Sequence, residues 1–265
     1  ELTGIPWSFT LHRWDITEDN LLKQKTDSAQ FVRCISAIGR NELLSIVGDE
    51  YMGKIHVIHM GVNVSSEVSY LQDINQGEFT IVCPANIIPV KGHEYLIKAC
   101  DIIRKRDADF LCLIIGDGML EDKLKTEVDN MALGDYIHFT GRMPHHELMD
   151  MYQQGNVDVV VLPSINTDDG EHEGIPVALM EAMVYGIPVI STKTGGIPEL
   201  LDNGAGILVH EKSAKELADA IEILVNDPLL KRQIGVQGRF RVERDFNLEQ
   251  NTNNLLKLMK KQVEK

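Results

Sequence analysis

From residue 79 onward, short apolar runs alternate with stretches whose apolar positions recur at helical spacing, and this alternation leaves few folds open. The runs are "FTIVCP" (79–84), "FLCLIIG" (110–116), "YIHFTG" (136–141), "VDVVVLP" (157–163), "IPVIST" (187–192) and "GILV" (206–209). Helical patterns fall between them at about 92–106, 120–132, 145–154, 176–185 and 197–202. Strands that are apolar throughout need cover on both faces. Intervening helices supply that cover, and they make the sheet parallel. The pattern predicts one complete doubly wound α/β domain over 79–226 with a six-stranded parallel sheet. A capping box, Ser213-Ala214-Lys215-Glu216, opens its last helix, which runs to about 226.

Residues 1–63 carry a shorter version of the same pattern. Strands are expected in "WSFTLH", "FVRCIS" and "KIHVIHMGV", with helices at about 19–27 and 37–47. This predicts a partial second Rossmann-like domain, joined to the first by a linker at 64–78. Residues 227–265 read as helices, broken near Asn247. The chain opens with Glu1 directly into strand-like sequence, so a missing N-terminal part is expected.

Composition narrows the function. With 43% hydrophobic and 25% charged residues in 265, a sizeable core is expected rather than disorder. The net charge of −14 argues against a nucleic-acid or anionic-membrane surface. Cys34, Cys83, Cys100 and Cys112 are scattered without CxxC spacing, which points to reduced core thiols and a cytoplasmic setting. No apolar run reaches the roughly 18–20 residues needed to span a bilayer. The sequon Asn63-Val64-Ser65 reads as a chance occurrence.

Within "EHEGIPVALMEAMVYGIPVISTKTGGIPEL" (171–200), two glutamates, Glu173 and Glu181, bracket a helix start. Pro176 suits the first helical position, because it has no N–H to lose there. Glu173 then precedes the helix, beside Gly174, where the backbone can approach a ligand closely. Glu181 lies about 7–8 Å along the axis, at roughly 1.5 Å per residue. Between them are free amides near Val177 and Ala178 and the positive end of the helix dipole, an anion site. A nucleotide sugar fits this layout: the diphosphate at the helix mouth, hydroxyls on the carboxylates to either side. An ordinary surface Glu and helix Glu remain the bland alternative at this point.

The same segment resembles the E-x7-E signature of the family-four, or group one, retaining glycosyltransferases of the GT-B fold, with their Gly-Gly-x-Pro-Glu turn at 195–199. "NIIPVKGHEYLIKA" (86–99) resembles their phosphate-binding loop, with Lys91 on the donor-phosphate lysine. "IIGDGMLEDKL" (114–124) and "IHFTGRMPHHELMDMY" (137–152) match the next two units, and "FTLHRWDI" and "IHMGVN" resemble the interface and hinge. The likeness extends over nearly all of the chain. It implies a nucleotide diphosphate sugar donor, retention at the anomeric carbon, no essential metal, and a C-terminal helix returning to the first domain. Where the family usually carries Arg, this chain has Asn86, which keeps hydrogen bonds but drops the charge. His93 or a residue of the missing part is the expected compensation.

The resemblance implies that Lys91 neutralises the diphosphate, Glu173 orients the transferred sugar, Glu181 binds the ribose and His12 faces sugar or acceptor from the partial domain. Asp15 reads as a helix cap or surface group. Gly116, within Gly116-Asp117-Gly118, and Gly196, within Gly195-Gly196, are expected near the donor, and Arg142 and Met143 near its base. A metal at His145-His146-Glu147 is rejected, because adjacent histidines diverge at a helix start. Asp168-Asp169 lacks a third ligand. The expected function is transfer of a hexose to a glycan or lipid-linked acceptor, with membrane contact through the missing part. The alternatives are a donor-binding module without turnover and a sugar-nucleotide epimerase or phosphorylase of the same fold.

Overall fold

The computed structural model describes residues 5–12, 15–16, 20–64 and 77–263. The chain divides into two compact units, Glu1–Asn63 with Arg244–Lys265, and Val64–Glu243. Most of the expected linker, residues 65–76, lies outside the described residues. The sequence expectation grouped all of 227–265 together, whereas the larger unit extends to Glu243.

The smaller unit holds three parallel strands, β1 (Phe9–Leu11), β2 (Val32–Cys34) and β3 (Ile55–Val57), in the order β1-β2-β3. Helices α1 (Leu22–Ser28) and α2 (Ala37–Val47) follow β1 and β2. Ser36 caps α2 by accepting from the Gly39 amide at 3.0 Å. Leu11, Leu22, Val32, Cys34, Leu43 and Val47 form the core. The expected break near Asn247 has a visible cause: its side chain accepts from the Gln250 amide at 3.0 Å and caps the following helix. Beside it, Val62 and Phe246 bond through their backbones at 2.9 Å.

In the larger unit the elements alternate: β4 (Phe79–Pro84), α3 (His93–Arg104), β5 (Phe110–Ile115), α4 (Glu121–Asn130), β6 (Ile137–Gly141), α5 (His145–Gln153) and β7 (Val159–Leu162). Then come α6 (Val177–Val184), β8 (Val189–Thr192), α7 (Ile197–Leu200), β9 (Ile207–Val209), α8 (Ala214–Asn226) and α9 (Pro228–Asp245), with α10 (Leu248–Val263) in the smaller unit. All six strands are parallel, in the order β6-β5-β4-β7-β8-β9. The order reverses between β4 and β7, registered as Ile81 opposite Val159 and Val82 opposite Val160. Sheets of this kind bind ligands at the carboxyl ends of the strands where the order reverses.

Ile81, Val82, Cys83, Val159, Val160 and Val161 are fully buried, which accounts for their unbroken apolar sequence. All four cysteines are buried free thiols. Burial pushes the Cys34 thiol up to about 12, so it behaves as a small apolar side chain. Two local expectations shift. Pro176 is the extended residue before α6 (φ −72°, ψ 122°), so the helix begins at Val177. The capping box forms by half: Ser213 accepts from the Glu216 amide at 3.4 Å, but the Glu216 carboxylate takes the His210 amide at 2.9 Å.

Candidate functional site

Lys91 ends a 3₁₀ turn, Pro89–Lys91, in the loop after β4. The next residue, Gly92, has φ +63°, and a Cβ there would stand 2.1 Å from the Pro163 carbonyl oxygen. Only glycine allows this approach. The Ile165 amide donates to the Val90 carbonyl at 2.9 Å, so the loops after β4 and β7 are bonded together. Glu173 comes from the second of these loops. Its Oε2 is 2.7 Å from Lys91 Nζ and accepts from Ser164 Oγ at 3.2 Å. The two charged side chains are 19% and 14% exposed, and Ser164 is buried.

The backbone of Glu173 is fixed from the other side by the turn leading into α7. Gly195 has φ +50°, and a Cβ there would stand 1.8 Å from the Glu173 carbonyl oxygen. The Gly196 amide points at the same oxygen from 3.4 Å. The glycine pair is therefore required by close packing on Glu173 and Gly174. Gly174 differs: a Cβ on it would meet nothing within 4 Å, so the space before it is open. Gly116 and Gly118 have a packing reason too, since Cβ atoms there would stand 2.2 Å from the Ala85 oxygen and 2.4 Å from the Ile87 oxygen.

Helix α6 starts without a side-chain cap. The Met180 amide donates to the Pro176 carbonyl at 3.4 Å, so the amides of Val177, Ala178 and Leu179 precede the first intrahelical bond. Glu181 lies one turn inside, with Oε1 2.8 Å from Nε2 of His145 at the start of α5. The buried Tyr152 hydroxyl is raised by desolvation and then by Glu181, and it has no hydrogen-bond partner among the described residues. The structure thus pairs one ammonium with the carboxylate that precedes an uncapped helix start, and sets the second carboxylate one turn inside that helix against His145. That set can hold a diphosphate and hydroxyls.

The other expected residues fall less centrally. Asn86 is exposed in the loop after β4, and its carbonyl accepts from the Ile88 amide at 2.9 Å. His93, offered as compensation for its missing charge, is 2% exposed, and neither ring nitrogen has a partner among the described residues. Burial, and then the Lys91 charge, lower its pKa to about 4, so at neutral pH it supplies no positive charge. Arg142 is 82% exposed and pairs with Asp117 at 2.7 Å, and Met143 beside it is half-buried. His12 belongs to the smaller unit, where its amide donates to Asp15 Oδ2 at 2.7 Å and its carbonyl accepts from the Asp15 amide at 3.1 Å. Ser164 and His145 were missed as partners of the glutamates. "PS" after an apolar strand and a histidine opening a helix are too common to have signalled them.

Among the described residues no group of three or more His, Cys, Asp or Glu side chains is placed to share a metal ion, and no helix is long and apolar enough to cross a membrane.

The putative colanic acid biosynthesis glycosyltransferase WcaL of Escherichia coli (strain K12) is 34% identical, over 89% of this chain and 59% of its own length. The amylovoran biosynthesis glycosyltransferase AmsK of Erwinia amylovora is 35% identical, over 73% of this chain and 47% of its own. The chain thus spans about half of these relatives. The crystal structure of Anabaena Alr3699/HepE in complex with UDP covers 97% of this chain and 72% of its own, with a TM-score of 0.79 at 20% identity. That likeness shows the fold, which is GT-B-like, with parallel sheets of three and six strands. The model of the family described as "Glycosyl transferases group 1" matches residues 71–241, well over half of the chain, and the chain belongs to that family.

Proposed function

We propose that this chain carries the donor site of a retaining glycosyltransferase, which moves a hexose from a nucleotide diphosphate sugar to a glycan or lipid-linked acceptor. The observation that carries the reading is the Lys91–Glu173 pair, 2.7 Å apart at the sheet's switch point and next to the uncapped start of α6. The diphosphate lies at the amides of Val177, Ala178 and Leu179, where the helix dipole favours an anion. Lys91 meets the charge that grows on the phosphate oxygen as the bond to the anomeric carbon breaks. Preorganised charge at a leaving group is commonly the largest contribution to catalysis. Glu173 holds the sugar hydroxyls and faces the positive charge that develops on the ring. Glu181 accepts from the ribose hydroxyls.

Asn86 gives the phosphates a neutral hydrogen bond where a charged fork would be stronger. Arg142 and Met143 flank the base, and Gly174 lets the sugar approach. Gly116 and Gly196 hold the loops that line the site. Lys91 and the α6 amides neutralise the diphosphate in this reading, which calls for no metal. The names of the relatives, which are biosynthesis glycosyltransferases for colanic acid and amylovoran, support a polysaccharide product. The UDP bound to the structural neighbour supports a nucleoside diphosphate donor. Four free thiols fit a reducing compartment, and we place the protein in the cytoplasm, where a lipid-linked acceptor would bring it to the inner face of the membrane.

A panel of UDP- and GDP-sugars in thermal-shift and calorimetric titrations tests this. Binding of one donor class, weakened by Lys91→Ala and Glu181→Ala, supports it, and no nucleoside diphosphate binding at millimolar concentration sinks it. Turnover is assayed on the full-length protein, because the chain spans 59% of its relative's length. The anomeric configuration of the product, read by NMR, tests retention.

A further inference from the structure

The two carboxylates of the site stand on different segments, and both segments are tied from behind by one helix. Glu181 rides on α6, whose trailing carbonyls lack intrahelical partners, as at any helix end. Arg239 of α9 donates through Nη1 to the Val184 carbonyl, the last of α6, and through Nε to Glu243 Oε1 at 2.5 Å. It is a charged residue only 4% exposed. Glu173 is held by the Gly195–Gly196 turn that leads into α7. Arg241, also on α9, donates through Nη2 to the Glu199 carbonyl at 2.6 Å and through Nε to the Leu200 carbonyl at 3.3 Å, the last two of α7. Two arginines of one helix thus hold the trailing ends of the two segments whose leading ends carry the site.

The approach of α9 is close. A Cβ on Gly235 would stand 2.0 Å from the Gly186 carbonyl oxygen, and one on Gly238 would stand 2.9 Å from the Ala205 oxygen and 3.4 Å from Met183 Cγ. Gly235, Gly238 and Arg239 follow at i, i+3 and i+4, one helix face. Burying a guanidinium is unfavourable unless its hydrogen bonds are met, and an apolar side chain would pack there at lower cost. A directional bond to a helix end adds what apolar contact does not, a fixed position along the axis. Catalytic geometry rewards that, since a displacement of about 1 Å can lower a rate by about a hundredfold.

We propose that α9 is the positioning element of the donor site, with Arg239 setting Glu181 through α6 and Arg241 setting Glu173 through α7. This rests on the donor reading above. Neither arginine touches the donor; each acts through the helix it holds.

The test uses the full-length enzyme with Arg239→Met and Arg241→Met, and with Arg239→Lys and Arg241→Lys, which keep the charge and one bond. UDP and GDP binding is measured by calorimetry, sugar transfer by assay and folding by melting temperature. Arg239→Met is expected to weaken nucleoside diphosphate binding about tenfold, because the ribose-side carboxylate shifts. Arg241→Met is expected to leave that binding within about twofold and to lower kcat about tenfold, because it acts on the sugar side. The lysine variants recover part of each loss. Should both arginine positions lose binding and turnover in the same proportion, or lose melting temperature alone, the proposal is overturned and the arginines are packing groups. If a methionine variant does not fold, the lysine pair must show the same split at smaller size, and its absence there overturns the proposal equally. A wild-type enzyme that binds neither UDP nor GDP sinks the donor reading itself, and α9 then has no donor site to position. That result is distinct from a wild type that binds while its variants fail to split.

Discussion

Lys91 Nζ lies 2.7 Å from Glu173 Oε2 across 82 residues of sequence, with both side chains largely shielded from water. The ammonium is therefore already partnered before any donor arrives, and a diphosphate must share it with a carboxylate that repels phosphate.

This relationship separates two variants. Lys91→Ala removes the cation and leaves Glu173 facing the phosphates, so UDP or GDP affinity should fall by roughly 10–100-fold, the size of a lost charge-assisted bond. Glu173→Gln removes the competitor, so the sugar-free nucleoside diphosphate should bind as tightly as before or more tightly. Sugar transfer by the same variant should drop on the order of 10²–10³-fold. Calorimetry with UDP and GDP, set beside turnover of the full-length protein, checks both. Parallel loss of binding and turnover in Glu173→Gln would contradict the sugar-side role.

Glu181 is assigned to ribose hydroxyls, and that makes a prediction about the ligand rather than the protein. Wild type should prefer a nucleoside diphosphate over its 2′-deoxy form by about tenfold, the scale of one hydrogen bond to a charged group. Glu181→Gln should lose most of that preference. Equal discrimination in both proteins removes Glu181 from the ribose.

The two glycine positions at Glu173 should respond oppositely. Gly195→Ala puts a Cβ against the Glu173 carbonyl in a left-handed backbone, and should cost on the order of 1–3 kcal/mol of stability along with turnover. Gly174→Ala meets open space, so its melting temperature should stay near wild type while the KM for donor rises. A large stability loss in Gly174→Ala would show that the space is not free.

His93 predicts a pH dependence. Its folded pKa lies near 4, below the ordinary 6.5, so between those values the unfolded chain binds the proton more readily. Stability should therefore rise with pH across that window and fall as pH drops from 6.5 toward 4, by an amount on the order of 2–3 kcal/mol. Asp101 and Asp219, held below the usual carboxylate range by their basic partners, also lose stabilisation on acidification. The difference between wild type and His93→Gln isolates the imidazole. Identical pH–stability curves for the two would refute the assignment.

Because the diphosphate is met by Lys91 and the α6 amides in this reading, sugar transfer by the full-length protein should persist in excess EDTA. Loss of activity that added magnesium or manganese restores would require an ion at the phosphates.

The strand and helix order was legible in the sequence, because apolar periodicity reports which faces are covered, and continuous runs such as Val159-Val160-Val161 alternating with helical patterns point to a parallel sheet covered on both faces. The sequence also marked Glu173 and Glu181 as a pair, since their spacing about a proline-led helix start is a local matter, while Lys91 was marked only by the family resemblance of its loop. What those residues touch is settled by the folded chain. The pairing of Lys91 with Glu173 depends on which strands lie side by side at the sheet's reversal, and strand order is not written in any local stretch. The same holds for His145 on Glu181, for the neutral, buried His93, and for the arginines of α9 behind the site. A side chain's charge state and partners depend on burial and on neighbours that are distant in the chain, and those exist only once the sheet has closed its layers.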